Sequence, residues 1–316
     1  MHYVHNTIRK ISKQNNICGK QIKIYEMFMR DGLQSLNKVY SLETKTEFIK
    51  ILNQCNFHCI EFGSTTSPKL LPQMANSYEL YTNIKKNSHT KYTMLVPGIT
   101  QIPKVIDSGI NSFGIVCSIS EKFAQKNLKK TSKETLENVI QQMNLITKIN
   151  DQHIRVYLSC SFGSPWENFD INHIDMLKNY INTILEYAKN KNISSDNLDI
   201  VISDTVGLST ETRTNEILKM INTNMELRDI NYLGMHIHSK GNNFTKIVNS
   251  CLNNNIYKYD SSMLGIGGCP FAEDNALGNI STLKLISFLK SLGYCKEYNL
   301  QKLKYAEESL DKLLKE

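Results

Sequence analysis

From residue 22 onward, short apolar runs alternate with longer stretches whose apolar residues recur at helical spacing, and the alternation repeats eight times. The strands predicted from the runs are Ile22–Met29, Cys59–Gly63, Tyr92–Val96, Ser112–Ser118, Ile154–Ser159, Leu198–Ser203, Tyr232–His238 and Lys258–Leu264. Between them the periodicity predicts helices over Glu43–Asn53, Gln73–Lys85, Ile102–Asp107, Ser132–Ile149, Asn172–Lys189, Glu211–Asn222, Phe244–Asn253 and Ser281–Ser291. Strand–helix alternation of this kind is the pattern of a parallel sheet with crossover helices, and eight units fit a closed (β/α)₈ TIM barrel better than an open sheet. The best helix, Ser132–Ile149, opens on Thr131-Ser132-Lys133-Glu134, a capping-box sequence, and carries Leu136, Val139, Ile140, Met143 and Ile146 on one face. An extra C-terminal helix, Leu300–Leu314, is expected to flank the barrel. The expected organisation is an N-terminal extension over 1–21 and one barrel domain over 22–316, helix included.

Composition narrows the class of function. A chain of 316 residues suits one barrel, since such domains run to about 200–400 residues. With 41% hydrophobic and 21% charged residues, no stretch approaches the roughly 20 apolar residues that span a bilayer. No membrane partner is expected. The net charge of +7 is spread thinly, with short clusters such as Lys85-Lys86 and Lys129-Lys130, so no nucleic-acid footprint emerges. A mild positive balance suits an anionic small molecule. The eight cysteines, Cys18, Cys55, Cys59, Cys117, Cys160, Cys251, Cys269 and Cys295, show no Cys-x-x-Cys pair and read as reduced thiols, Cys55 and Cys59 as core residues. The N-terminal stretch carries Arg9, Lys10, Lys13 and Lys20 and no acid, a weak targeting pattern; cytoplasm is the expected compartment and mitochondria the alternative.

The chemistry concentrates where barrel enzymes keep it, at the C-terminal ends of the strands. Arg30 and Asp31 follow the first predicted strand, Glu61 ends the second, Asp204 follows the sixth, His236 and His238 end the seventh and Cys269 follows the eighth. Residues two apart on a strand share a side, so His236 and His238 can offer two imidazoles to one ion, with Asp31 supplying a carboxylate. That donor set suits Mg²⁺ or Mn²⁺, with Fe²⁺ as the competing choice. Asn279 is a candidate fourth ligand or else a helix cap. Arg30 can stabilise a developing oxyanion, pair with Glu61, or do both. Asp204 is a network partner or an N-cap. The stretch Gly265-Ile266-Gly267-Gly268-Cys269-Pro270 lets the backbone approach a ligand closely and presents a thiol as a candidate acid.

Together, Arg30-Asp31-Gly32-Leu33-Gln34, Glu61-Phe62-Gly63-Ser64, Ser203-Asp204-Thr205-Val206-Gly207, His236-Ile237-His238 and Gly267-Gly268-Cys269-Pro270 resemble the 3-hydroxy-3-methylglutaryl-CoA lyase family. The resemblance implies a divalent cation on Asp31, His236, His238 and Asn279, Arg30 and Cys269 acting on substrate, and Glu61 and Asp204 in support. It implies an acyl-CoA substrate, cleaved to acetyl-CoA and acetoacetate, and a homodimer. Ser239-Lys240 and Ser161-Phe162-Gly163-Ser164-Pro165-Trp166 depart from the family pattern, and the loop from Cys269 to Asn279 is one residue longer. The rival readings are an aldolase or acyl-CoA condensing enzyme on the same cation site and an inactive barrel that serves as a binding protein.

Overall fold

A computed structural model describes residues 21–226, 229–239, 241–268 and 277–316. The expected N-terminal extension therefore lies outside the described residues apart from its last position, as does Cys269. Eight parallel strands close in chain order: β1 (Lys23–Glu26), β2 (Cys59–Ser64), β3 (Lys91–Leu95), β4 (Ser112–Ser118), β5 (His153–Ser159), β6 (Leu198–Ser203), β7 (Leu233–His236) and β8 (Lys258–Ser261). Closure is made by β1 on β8, in register from Lys23 opposite Lys258 to Glu26 opposite Ser261. Helices stand between successive strands, as a (β/α)₈ TIM barrel requires.

Several boundaries move for identifiable reasons. The first strand stops at Glu26, because its buried carboxylate accepts from the Phe28 backbone N–H at 3.0 Å and the chain coils into a π-helical turn, Phe28–Gly32. Arg30 and Asp31 ride on that turn, an arrangement frequent at functional sites. The helix expected over Gln73–Lys85 divides into a 3₁₀ turn, Pro72–Met74, and a helix, Ser77–Asn83. Ser132–Ile146 starts on the expected capping box, with Thr131 Oγ1 accepting from Glu134 N and Glu134 Oε2 from Thr131 N. The C-terminal helix, Leu300–Lys315, buries Leu303, Ala306 and Leu310, and its Glu307 accepts from the backbone N–H of Leu264 at 3.1 Å. That contact braces the segment after β8.

The barrel interior is unusually polar. Along β5, alternate residues climb the barrel: His153 near the N-terminal floor, then Arg155, Tyr157 and, at the mouth, Ser159. The floor is a lateral hydrogen-bonded belt. Cys59 Sγ lies 3.0 Å from Thr93 Oγ1, Thr93 2.6 Å from Ser112 Oγ, Ser112 3.0 Å from His153 Nδ1, and His153 Nε2 3.1 Å from Asp199 Oδ2. Lys258 Nζ donates to Asp199 Oδ1 at 2.6 Å and ends it. Burial pushes the thiols of Cys55 and Cys59 up to about 12, in keeping with core residues. Among the described residues no helix is long and apolar enough to cross a membrane.

Candidate active site

At the mouth, loops after the strands surround a cavity of about 780 Å³. One part holds Arg30, Asp31, His236 and His238, while the remainder mixes apolar side chains such as Leu71, Met74, Leu95 and Phe123 with polar ones such as Thr66, Gln101, Lys104 and Asn127. Asp31, His236 and His238 bring one ligand atom each within 4.8 Å of one another, all buried.

The tautomers of the two histidines follow from their partners. His238 Nδ1 lies 2.8 Å from the Leu277 carbonyl, which can only accept, so Nδ1 carries the proton. His236 Nδ1 faces the Asp260 carboxylate at 3.1 Å, which likewise puts the proton on Nδ1. Both Nε2 lone pairs then point at each other across 3.0 Å. Two acceptors at that distance repel unless a proton or a cation lies between them. A separation of about 3 Å is also that of adjacent ligands in an octahedral site with bonds near 2.1 Å.

Asp31 is the most heavily bonded group in the site. Its Oδ1 accepts from Arg30 Nη1 at 2.6 Å and Gln34 Nε2 at 2.7 Å, and its Oδ2 accepts from Asn279 Nδ2 at 2.5 Å. Burial opposes its ionisation, but Arg30 and the two imidazoles outweigh burial and hold its carboxyl below the usual carboxylate range. Asn279 Oδ1 is buried without a hydrogen-bond partner. Turning the amide would bring that orphaned oxygen beside Asp31 Oδ2, where a cation would satisfy both. Asn279 does not cap a helix, since the helix Thr282–Ser291 is capped by Ser281, and it pairs instead with His238 in an isolated bridge. Gly267 explains part of the glycine-rich stretch. At φ +137° a Cβ there would lie 2.0 Å from Asn279 Nδ2 and 2.7 Å from Asp31 Oδ2. These residues fit a divalent cation.

Arg30 is fixed by two carboxylates, with Nε donating to Glu61 Oε2 at 2.5 Å and Nη1 to Asp31. Burial works against its charge, Glu61 and Asp31 more than compensate, and its pKa rises. Glu61 sits mid-strand on β2, not at its end, and its other oxygen accepts from Tyr157 Oη at 3.0 Å. Asp204 stands just past β6, but both its oxygens are taken by backbone N–H groups, Leu208 at 2.7 Å and Ser209 at 3.0 Å. It shapes the loop after β6; the N-cap of the next helix is Thr210. Burial raises the Asp204 pKa.

Three residues that hold the site's side chains or backbone in place were not legible in the apolar runs: Tyr157, Asp260 and Glu26. Glu26 accepts from Phe28 N, Met263 N at 2.9 Å and Thr282 Oγ1 at 2.6 Å, tying the Arg30–Asp31 turn to the segment that leads to Asn279. Burial raises its pKa to about 7. The signal that could have found Tyr157 is the strict alternation of polar and apolar residues along its strand; Glu26 and Asp260 carry no comparable local signal.

The HMGL-like family matches residues 21–310. The mitochondrial hydroxymethylglutaryl-CoA lyase of Macaca fascicularis is 30% identical over 284 residues, covering 90% of this chain and 83% of the relative. The 3-hydroxy-3-isohexenylglutaryl-CoA/hydroxy-methylglutaryl-CoA lyase of Pseudomonas aeruginosa is 25% identical over 274 residues, covering 86% of each. Among solved structures, the HMG-CoA lyase of Bacillus subtilis superposes with a TM-score of 0.82 at 26% identity, over 93% of this chain and 94% of that one.

Proposed function

Because the chain belongs to the HMGL-like family, we propose that it is a cation-dependent carbon–carbon lyase that cleaves 3-hydroxy-3-methylglutaryl-CoA to acetyl-CoA and acetoacetate. The observation that carries the reading is the pair of Nε2 atoms facing each other across 3.0 Å beside Asp31, with an immobilised guanidinium next to them at the polar end of the cavity. Asp31, His236, His238 and the Asn279 amide oxygen would hold the cation, Mg²⁺ or Mn²⁺. A bound divalent ion supplies Lewis acidity that eases loss of a proton from a substrate hydroxyl.

In the cleavage, the tertiary hydroxyl loses its proton and becomes the ketone of acetoacetate, while the electron pair of the breaking bond passes to the thioester as an enolate. Arg30, held by Glu61 and Asp31, stabilises that enolate oxygen. Such a donor needs no reorganisation as charge develops, because its partners fix it in place. Tyr157 buttresses the arrangement through Glu61. Protonation of the enolate carbon then yields acetyl-CoA, and Cys269 is assigned as donor or relay by the family resemblance alone, since it lies outside the described residues. The remaining cavity, lined by both apolar and polar side chains with Lys104 and Asn127 among them, takes the rest of the acyl-CoA. The acting species in this reading is a homodimer.

The test is incubation of purified protein with Mg²⁺ or Mn²⁺ and 3-hydroxy-3-methylglutaryl-CoA, quantifying acetoacetate and acetyl-CoA. Metal-dependent product, abolished in Asp31→Ala and strongly reduced in Cys269→Ala, supports the reading. Bound cation without product would overturn the substrate, and full activity in Cys269→Ala would remove the thiol from the mechanism.

A further inference from the structure

Beneath His236 the mechanism leaves four members of a buried ionic chain unused. From the floor upward it runs Lys258, Asp199, Arg155, Asp260, His236. Arg155 is fully buried; its Nη1 is 3.5 Å from Asp199 Oδ2, and its Nη2 donates to Asp260 Oδ1 at 2.5 Å. Its guanidinium carbon lies 3.5 Å over the Tyr25 ring. The other Asp260 oxygen, Oδ2, takes His236 Nδ1. Each oxygen of this buried carboxylate thus faces a single donor, one permanent cation and one imidazole.

We propose that Asp260, itself oriented by Arg155, is the positioning residue that keeps the His236 proton on Nδ1 and turns its Nε2 lone pair into the cation site. The inference rests on the cation site proposed above, but it concerns a residue outside the ligand set. The physical reason is the general one for metal-binding imidazoles: the nitrogen that does not bind needs an acceptor, and the acceptor decides the tautomer and ring plane. A carboxylate placed here without a counter-charge would be buried and uncompensated, which the protein avoids by bringing Arg155 to it. The His236 ring is further confined by the Tyr157 ring, 6.0 Å away and nearly perpendicular.

Asp260→Asn separates positioning from simple packing, because the amide is isosteric yet offers one acceptor where two are needed. If its oxygen stays on Arg155, its NH₂ faces His236 Nδ1, which must then accept and carry its proton on Nε2. If its oxygen stays on His236, its NH₂ faces the guanidinium, donor against donor. The first arrangement is the stable one, since it avoids opposing a permanent charge, and it blocks Nε2.

Mn²⁺ titration followed by electron paramagnetic resonance should show a Kd weakened about 10–100-fold in Asp260→Asn. Two-bond ¹H–¹⁵N spectra of histidine-labelled, cation-free protein should show Nδ1–H on His236 in the wild type and Nε2–H in the variant. A folded Asp260→Asn with wild-type Mn²⁺ affinity would overturn the proposal. Should the variant fail to fold, the wild-type spectrum still decides: Nε2–H on His236 there refutes it. A wild-type protein that binds no Mn²⁺ would sink the cation site instead, and the tautomer would then judge the positioning role on its own.

Discussion

His153 near the floor and His236 near the mouth each meet a buried aspartate across 3.1 Å, yet they are left in opposite conditions. His153 turns Nε2 to Asp199, so its Nδ1 is the acceptor, and the Ser112 hydroxyl is there to donate to it at 3.0 Å. His236 turns Nδ1 to Asp260, so Nε2 is the acceptor, and the nearest polar atom is another imidazole acceptor. The floor gives both nitrogens of His153 a partner within a hydrogen-bonded belt, whereas the mouth sets two Nε2 atoms against each other and leaves the Asn279 Oδ1 unanswered beside a cavity. What distinguishes the histidine of the floor from that of the mouth is therefore the second nitrogen, not the carboxylate.

The strongest way to break that contrast is to remove a ligand at the mouth. His236→Ala is expected to lower kcat by about 10³-fold or more, losing several kcal/mol of charge stabilisation. Mn²⁺ binding should fail with it; retained turnover would show that the facing lone pairs are incidental. Next in size, Arg30→Gln should lower kcat by about 10²–10³-fold. It also strands the buried carboxylate of Glu61, at a cost of about 3–5 kcal/mol in urea unfolding. A kinetic loss without that stability loss would mean that Glu61 finds another partner.

The two histidines also differ in the sign of their pH dependence. Burial lowers the His153 pKa to about 4, against an ordinary value near 6.5, with Asp199 only partly offsetting it. Between those values the unfolded chain binds a proton that the native state refuses, so the contribution of His153 is complete above about pH 6.5. It is lost as pH falls toward 4, by about 3 kcal/mol in all. For His236 burial is outweighed by Asp260 and the pKa rises, so its contribution is present at low pH and fades as pH rises through the folded value. His153→Gln, measured by urea unfolding from pH 4 to 7, should flatten the wild-type slope by about 1.4 kcal/mol per pH unit. An unchanged slope would place the acid sensitivity in other groups, such as His58, whose pKa burial lowers to about 3.

The mouth was legible in the sequence because Arg30, Asp31, His236 and His238 are chemically conspicuous types at the ends of predicted strands, and eight such strands imply a common mouth. The interior network was not, because strands were read as apolar runs. His153-Ile154-Arg155-Val156-Tyr157-Leu158-Ser159 alternates polar and apolar strictly, and in a closed barrel the apolar face belongs outside, under the helices, with the polar face within. A period-two pattern shows that one face differs from the other but not which face is inward, and that depends on closure. Glu26 was hidden for another reason. Its run continues apolar to Met29, and only the capture of the Phe28 and Met263 amides by its carboxylate ends the strand there. Contacts with residues more than 200 positions away have no local signature.

The mildest change that sharpens the comparison is Ser112→Ala. Ser112 is buried, and its hydroxyl stands between Thr93 Oγ1 and His153 Nδ1. Removing it leaves the His153 lone pair without a donor, in the condition of His236 Nε2 but with no cavity beside it. Thr93, which had donated to the Ser112 oxygen, can turn its hydroxyl to Cys59, and the Cβ keeps the packing, so the perturbation is the His153 acceptor plus one displaced weak thiol donor. The expected cost is about 1–2 kcal/mol in urea unfolding, with Mn²⁺ affinity and kcat unchanged. If stability does not fall, His153 has reversed its tautomer or drawn in water, and the belt is less rigid than its distances imply. If Mn²⁺ affinity falls instead, the floor and the mouth are coupled through Asp199, Arg155 and Asp260, and the two histidines are ends of one device.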